Sequence, residues 1–357
     1  MGFNSFGKIF SFTTFGESHG RAIGVVVDGV PAGLKISESD VQKELDRRKP
    51  GQSKITTQRK EEDKVEIISG LFEGKTTGAP MGMLIFNNDA KSKDYSNIKD
   101  NFRPGHADFT YEQKYGVRDF RGGGRSSARE TAMRVCAGAI AKKFLAQKGI
   151  AITGFTREVA GICAKKTDFK AIEKNIVRAP DLDAAKKMEE AILAAKEEGD
   201  SVGGVVEVIA KGVPAGLGEP IYYKLDSALA NALMGINAVK GVEIGSGFAS
   251  TQMRGSKHND QMRVVKGKTV FSTNNSGGVI GGISSGEDIV VRIAIKPASS
   301  IAKEQKTVSK KGRNVNLKVE GRHDPCLCPR AVPVAEAMVA CVLMDLYLIA
   351  KARNASK

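Results

Sequence analysis

Three of the four histidines in this sequence sit in loops beside a carboxylate. His19 follows Glu17, His106 precedes Asp108, and His323 adjoins Asp324. A loop histidine paired with an acid can move a proton near neutral pH. Taken singly, each is better read as a solvated or structural histidine; it is three of four in the same context that points to chemistry. His258, in Lys257-His-Asn-Asp260, reads as a solvated loop residue. The densest stretch is Arg121-Gly-Gly-Gly-Arg125-Ser126-Ser127-Ala-Arg129-Glu130, running on to Arg134. Three successive glycines free the backbone of side chains. Ser127 and Glu130 have the S-x-x-E spacing of a capping box ahead of an apolar run. A helix starting there would aim its free N–H groups and positive dipole end at the glycine loop, among four arginines. That combination suits phosphate. An ordinary glycine-rich turn with a capped helix and solvated arginines would read the same way.

Other chemistries find no support in the spacing. Ser18-His19 is not a nucleophile elbow, and neither a G-x-x-x-x-G-K-[ST] loop nor a dinucleotide G-x-G-x-x-G fingerprint occurs. The five cysteines, Cys136, Cys163, Cys326, Cys328 and Cys341, are odd in number and scattered, with no second pair to complete a zinc site. They read as reduced structural thiols, and no metal is expected. The formal charge of +15 fits either nucleic-acid binding or a cleft for small anions. Tryptophan is absent, aromatics are 6%, and the prominent arginines stand beside glycines and histidines. The balance therefore falls on small anions. No apolar run approaches the roughly 18 residues of a membrane helix. The N-terminus lacks a charged start followed by an apolar segment. A cytoplasmic location is expected.

The elements that must position these groups alternate strands, helices and glycine turns. Strands are expected at 7–16, 23–27, 65–69, 81–86 and 205–209. Helices are expected from Ser37 to Arg48, from Ser127 to Gln147, over 183–198 as a surface helix, and from Pro333 to Leu348. Residues 87–120 read as a long functional loop, and 254–268 as a polar loop. Gly29-Val-Pro-Ala-Gly-Leu34 recurs as Gly212-Val-Pro-Ala-Gly-Leu217, each after a valine-rich strand and before an amphipathic helix. Later pieces follow in matching order. The expectation is one domain of two similar halves, about 7–150 and 200–350, with a helical insertion at about 155–200.

Three motifs carry a resemblance over essentially the whole chain: GESHGRAIGVVVDGVP at 16–31, GGGRSSARETAMRVCAGA at 122–139 and GRHDPCLCPRAVPVAEAM at 321–338. LDRRKPGQS at 45–53, FRPGHADFTYEQKYG at 102–116, GDSVGG at 199–204, INAVKGVEIGSGF at 236–248, NNSGGVIGGISSGED at 274–288 and KPASSI at 296–301 add to it. The sequence resembles the chorismate synthase family. The resemblance implies an α+β fold, a β-α-β sandwich with internal pseudo-twofold symmetry and helices between antiparallel sheets, assembled as a homotetramer. It implies anti-1,4-elimination of phosphate from 5-enolpyruvylshikimate 3-phosphate, with reduced FMN and no net redox change.

Roles carried over by motif follow. His19 resembles the histidine that protonates the departing phosphate, and His106 the one that keeps the flavin correctly protonated. Asp324 resembles the acid that assists deprotonation through the flavin, with Ser18 and Ser127 in its hydrogen-bond network. Arg125, Ser126, Ser127, Asn237, Ala238, Gly281, Lys296, Pro297, Ala298, Ser299, Ser300 and Arg322 resemble flavin contacts. Arg48, Arg103 and Arg129 resemble holders of substrate anions. Arg48 and position 54 are also where the family places dinucleotide contacts. Position 54 is often arginine there and is Lys54 here, which keeps the charge but loses the bidentate fork. With no flavodoxin-like or dinucleotide-fold segment, an outside flavin reductant is expected, NADPH acting indirectly. No nucleic-acid or membrane partner is expected.

Overall fold

The computed structural model describes residues 2–57, 61–88, 98–319 and 323–353. The first half contains β1 (Ser5–Phe6), β2 (Ser11–Gly16), β3 (Ala22–Asp28), α1 (Glu38–Arg48), β4 (Val65–Ile67), the ribbon β5 (Leu71–Phe72) and β6 (Lys75–Thr76), β7 (Met81–Phe86), α2 (Asp108–Tyr115) and α3 (Thr131–Ala146). The second contains β8 (Ala151–Val159), β9 (Ile162–Cys163), α4 (Leu182–Glu197), β10 (Gly204–Lys211), α5 (Leu225–Met234), β11 (Val239–Ile244) and the one-turn α6 (Gly255–His258). Then come two hairpins, β12 (Met262–Val265) with β13 (Lys268–Phe271) and β14 (Val279–Ile280) with β15 (Ile283–Ser284). After β16 (Ile289–Ile295) a third hairpin, β17 (Glu304–Val308) and β18 (Asn314–Lys318), precedes α7 (Cys328–Arg353).

Two antiparallel five-stranded sheets result, ordered β1-β2-β3-β7-β4 and β9-β8-β10-β16-β11. Period-two alternation builds both. Ile23, Val25 and Val27 of β3 and Met81, Met83 and Ile85 of β7 turn inward, as do Val291 and Ile293 of β16. Helices α1 and α3 cover the inner face of the first sheet, and α5 and α7 that of the second. The fold is α+β, helices between antiparallel sheets. The element order β2-β3-α1-β4-β7-α3 is repeated as β8-β10-α5-β11-β16-α7, in sheets of the same order. Gly29 and Gly212, which open the repeated hexapeptide, both have φ of 75°. A side chain at either would run into a backbone carbonyl, of Ile9 or of Gly149.

At the centre α3 and α7 cross in backbone contact, because a Cβ on Gly138 would overlap Ala337. Helix α7 is long and apolar enough to cross a membrane by length and composition, contrary to the sequence reading. However, 83% of that stretch is buried inside the fold. It begins at Cys328 rather than Pro333. Proline at the sixth helical position leaves the carbonyl of Pro329 without its helical donor. Arg178 donates to that carbonyl instead, at 2.6 Å.

Other boundaries also differ from the sequence reading. The loop over 87–120 contains α2, closed by Gly116 at φ 68°, and 254–268 holds α6 and β12. Helix α3 starts at Thr131, not Ser127. Two 3₁₀ turns, Gly124–Ser126 and Ala128–Glu130, precede it. Ser127 caps the second turn by accepting from the Arg129 N–H at 3.3 Å. The expected return bond from Glu130 gives way to Arg134, one turn on, which donates to Glu130 at 3.1 Å. Residues 155–159 belong to β8.

Candidate active site

A cleft of about 570 Å³ opens between the halves. Its walls are the end of α1, the His106 loop, the glycine loop, the turns after α5 and β16, and the start of α7. Among the described residues its lining carries six basic side chains, Arg48, Arg103, Arg129, Lys240, Lys296 and Arg330, and one carboxylate, Asp324. Such a wall draws in anions and raises their local concentration.

The glycine loop shapes the cleft through its backbone. Gly122, Gly123 and Gly124 have φ of 62°, 85° and 54°, a run that side chains would strain. A Cβ on Gly122 would overlap the ring of His19, and one on Gly123 would lie 3.3 Å from Cε1 of His106. The two histidines therefore flank one loop. His19 Nδ1 and Ser18 Oγ are hydrogen-bonded at 3.2 Å. Ser126 Oγ donates to the Gly123 carbonyl at 2.7 Å, and Asn237 Nδ2 donates to the Ser126 carbonyl at 3.1 Å.

His106 Nδ1 lies 3.0 Å from Oδ1 of Asp108 and 3.0 Å from a guanidinium nitrogen of Arg103. A carboxylate only accepts and a guanidinium only donates, so Nδ1 serves one of the two; the tautomer that bonds Asp108 carries its hydrogen on Nδ1 and keeps the ring's lone pair on Nε2. Burial pushes the His106 pKa below its ordinary 6.5; Asp108 opposes this, and Arg103 and Arg118 add to it. Asp108 is buried, and burial alone would raise its pKa. Bonds from Arg103 and His106 overcome that and hold the carboxyl far below the usual range. Arg103 grips Asp108 with Nε at 2.7 Å and a terminal nitrogen at 2.9 Å. Lys296 Nζ donates to the Gly105 carbonyl at 2.6 Å, tying the end of β16 to the His106 loop.

Opposite, Arg48 and Arg129 converge on Asp63. Arg48 donates to Oδ2 at 2.5 Å and Arg129 donates to Oδ1. Asp63 is fully enclosed; burial would raise its pKa, but the two arginines outweigh it and lower it. Asp63 takes the left-handed φ of 51°, which aspartate and asparagine tolerate better than most residues. Arg129 Nε also donates to Asn87 Oδ1 at 2.8 Å. Asp324 accepts from the Thr57 N–H at 2.8 Å on one oxygen and from Arg330 on the other. Among the described residues, Arg48 Nε, a terminal nitrogen of Arg129 and Asn237 Oδ1 are buried with no hydrogen bond. All three residues line the cleft, so hydrogen-bonding capacity is left unspent within its wall.

The cleft thus gathers Arg48, Arg103, His106, Ser126, Ser127, Arg129, Asn237, Ala238, Lys296, Pro297, Ala298, Ser299, Ser300 and Asp324. Ala238 holds φ of 66° there. His19 and Ser18 stand behind Gly122. Other expected residues lie elsewhere. Arg125 turns to a groove on the far side of the loop and donates to Thr14 Oγ1 at 2.8 Å. Lys54 pairs with Glu189 of α4 at 2.6 Å, outside the cleft. Gly281 is exposed at the β14–β15 turn, and Arg322 lies outside the described residues. Of the four arginines around the glycine loop only Arg129 lines the cleft; Arg121 pairs with Asp119 and Arg134 with Glu130.

Sequence reasoning missed Asp63, Asn87 and Arg330. Asp63 ends the run Glu61-Glu-Asp, which reads as a solvated acidic stretch, and Asn87 closes a strand. Only Arg330 lay in a quoted motif.

A family model described as chorismate synthase matches residues 10–348. The chorismate synthase of Methanosarcina mazei is 58% identical over 98% of this chain and 97% of its own. That of Pelagibacter ubique is 55% identical over 99% of each. A crystal structure titled as chorismate synthase superimposes with a TM-score of 0.78 at 33% identity, covering 96% of this chain and 93% of the other.

Proposed function

The chain belongs to the chorismate synthase family, a family of lyases, and we propose that it converts 5-enolpyruvylshikimate 3-phosphate to chorismate and phosphate. The observation that carries this reading is the cleft lined by six basic groups, with His106 on one wall and Asp324 on another. Phosphate is a poor leaving group unless its growing charge is neutralised. Arg48, Arg103 and Arg129 would hold the substrate's anionic groups, and all three line the cleft. Of the buried donors without a partner, two belong to Arg48 and Arg129. His19, oriented by Ser18, holds a proton for the departing phosphate. His106, kept neutral and oriented by Asp108, offers Nε2 as a site that takes and returns a proton. Asp324, fixed by Thr57 and Arg330, is the carboxylate that receives a proton on the opposite wall.

Reduced FMN fits the remaining groups. The unpartnered Asn237 Oδ1 suits a ring N–H, and the backbone of Gly122 and Gly123 permits close approach. Ser126, Ser127, Ala238 and the 296–300 turn would hold the cofactor. When bound, it supplies electron density to the substrate ring as phosphate leaves and recovers it, so the reaction has no net redox change. Lys54 is engaged with Glu189, which favours an external flavin reductant, with NADPH acting indirectly. A homotetramer, a cytoplasmic location and descent of the two halves, about 7–150 and 200–350, from one duplicated unit complete the proposal. The repeated element order supports the last point.

The test is anaerobic turnover of 5-enolpyruvylshikimate 3-phosphate with photoreduced FMN. Chorismate formation with reduced flavin, and none with oxidised flavin, is expected. No turnover under the reduced condition would overturn the reading.

A further inference from the structure

A chain of hydrogen-bonded residues runs around the cleft, and two residues with no assigned role are links in it. It begins at the turn that carries His19. Asn87 Nδ2 donates to the carbonyls of Glu17 and Gly20, at 3.0 and 2.8 Å, one before and one after His19. The oxygen of the same amide accepts from Arg129 Nε at 2.8 Å. Arg129 donates onward to one oxygen of Asp63, whose other oxygen accepts from Arg48 at 2.5 Å. The Arg48 carbonyl accepts from Arg330 Nε at 3.0 Å, and Arg330 donates to Asp324. Residue by residue, the chain therefore joins the turn that carries His19 to Asp324, the two ends of the proposed proton traffic, through both anion-holding arginines.

We propose that Asn87 and Asp63 are positioning residues of this site: Asn87 locks the His19 turn to Arg129, and Asp63 fixes the spacing of Arg129 and Arg48. The chemistry of each link requires its residue type. Asn87 uses two donors and one acceptor on one side chain, which neither aspartate nor a hydroxyl supplies. Asp63 must accept from two guanidinium groups on opposite oxygens, which asparagine's single oxygen does not do. Its backbone is left-handed, where aspartate and asparagine are tolerated and bulkier residues are strained. With Asp63 and Asn87 gripping two edges of Arg129, the remaining terminal nitrogen is the one without a hydrogen bond. Glu61 lies 3.8 Å from it. The grip thus fixes how the Arg129 guanidinium sits in the wall of the cleft.

This inference rests on the proposed reaction only for its turnover arm, so it has a second readout. Inorganic phosphate binding is measured by calorimetry on the wild type and on N87D, N87A, D63N and the surface control K187A. Turnover is measured alongside. N87D keeps the acceptor for Arg129 and loses the donors to the His19 turn. Its added negative charge beside Arg129 should weaken phosphate several-fold, and the lost donors should cost about tenfold or more in kcat, with the pH–rate profile displaced. N87A should lose in both measurements. D63N keeps the backbone conformation and should weaken phosphate about tenfold. Tighter phosphate binding in D63N would mean that Asp63 only neutralises charge, and would overturn its role. Wild-type turnover in N87D would overturn that of Asn87. Should D63N fail to fold, D63E, which keeps both oxygens but shifts them by one methylene, tests Asp63 in its place and should also weaken phosphate, while N87D and N87A, altered at a part-buried position, decide Asn87. Absence of turnover in the wild type would count against the reaction, leaving the phosphate arm to judge Asp63.

Discussion

The ring of His19 occupies the space that a side chain on Gly122 would need. Gly122 also has φ of 62°. Alanine there would cost about 1 kcal/mol in backbone strain and displace the imidazole. Gly122→Ala is expected to lower the melting temperature modestly and to cut turnover by about tenfold or more, a loss on the scale of acid–base catalysis. Phosphate binding by Arg48 and Arg129 should persist. Calorimetry beside steady-state kinetics checks both, and full turnover would separate His19 from the chemistry.

His106→Ala should leave the fold intact and cut turnover by about 10²-fold or more. His106 is only 18% exposed, and its partner Asp108 keeps Arg103 and Arg118, so circular dichroism should be unchanged. Near-normal turnover would remove the residue from the proposed proton traffic.

Stability should fall in acid in two stages. The His106 pKa lies below 6.5 in the folded chain, so the unfolded chain binds the proton more readily. The contribution is complete above 6.5 and is lost as pH falls through the folded value. Glu336 comes next. Burial would raise its pKa, but Lys142 and Arg47 bring it down from 4.5 to about 2. That difference corresponds to about 3 kcal/mol, present above 4.5 and lost as pH falls toward 2. Glu336→Gln should flatten the second stage of a melting-temperature profile. An unchanged profile would show that the Arg47–Glu336–Lys142 cluster carries none of the acid sensitivity.

Arg125 should influence flavin from a distance. It ties the glycine loop to Thr14 on β2, so Arg125→Ala is expected to weaken FMN binding several-fold while Lys187→Ala on α4 leaves it unchanged. Equal dissociation constants in a flavin titration would show that the loop keeps its shape without the anchor.

Much of this molecule was legible because its signals are local. The period-two strands β3 and β7, the capped helix α1 and the hexapeptide repeated at 29–34 and 212–217 each announce themselves within a dozen residues. The motifs around His19, His106 and Asp324 carried the family. What escaped depends on contacts distant in sequence. Asp63 meets Arg129, 66 residues away, so an acidic residue in a charged run gives no sign of being the most enclosed carboxylate of the site. Arg125 and Arg129 look alike in sequence, yet their side chains face different grooves. The start of α3 was misplaced because Glu130 has two possible partners and the helix supplies the better one, Arg134.

The crossing of Gly138 with Ala337 has a mechanical consequence. Arg129 stands just before α3, and Arg330 stands in the first turn of α7, so the two walls of the cleft are lever arms pinned at one rivet. A methyl group at position 138 would act as a wedge, prising the half-shells apart without touching a polar atom of the site. The missing side chain of one glycine is thus a spacer between the two helices that lead into the charged walls.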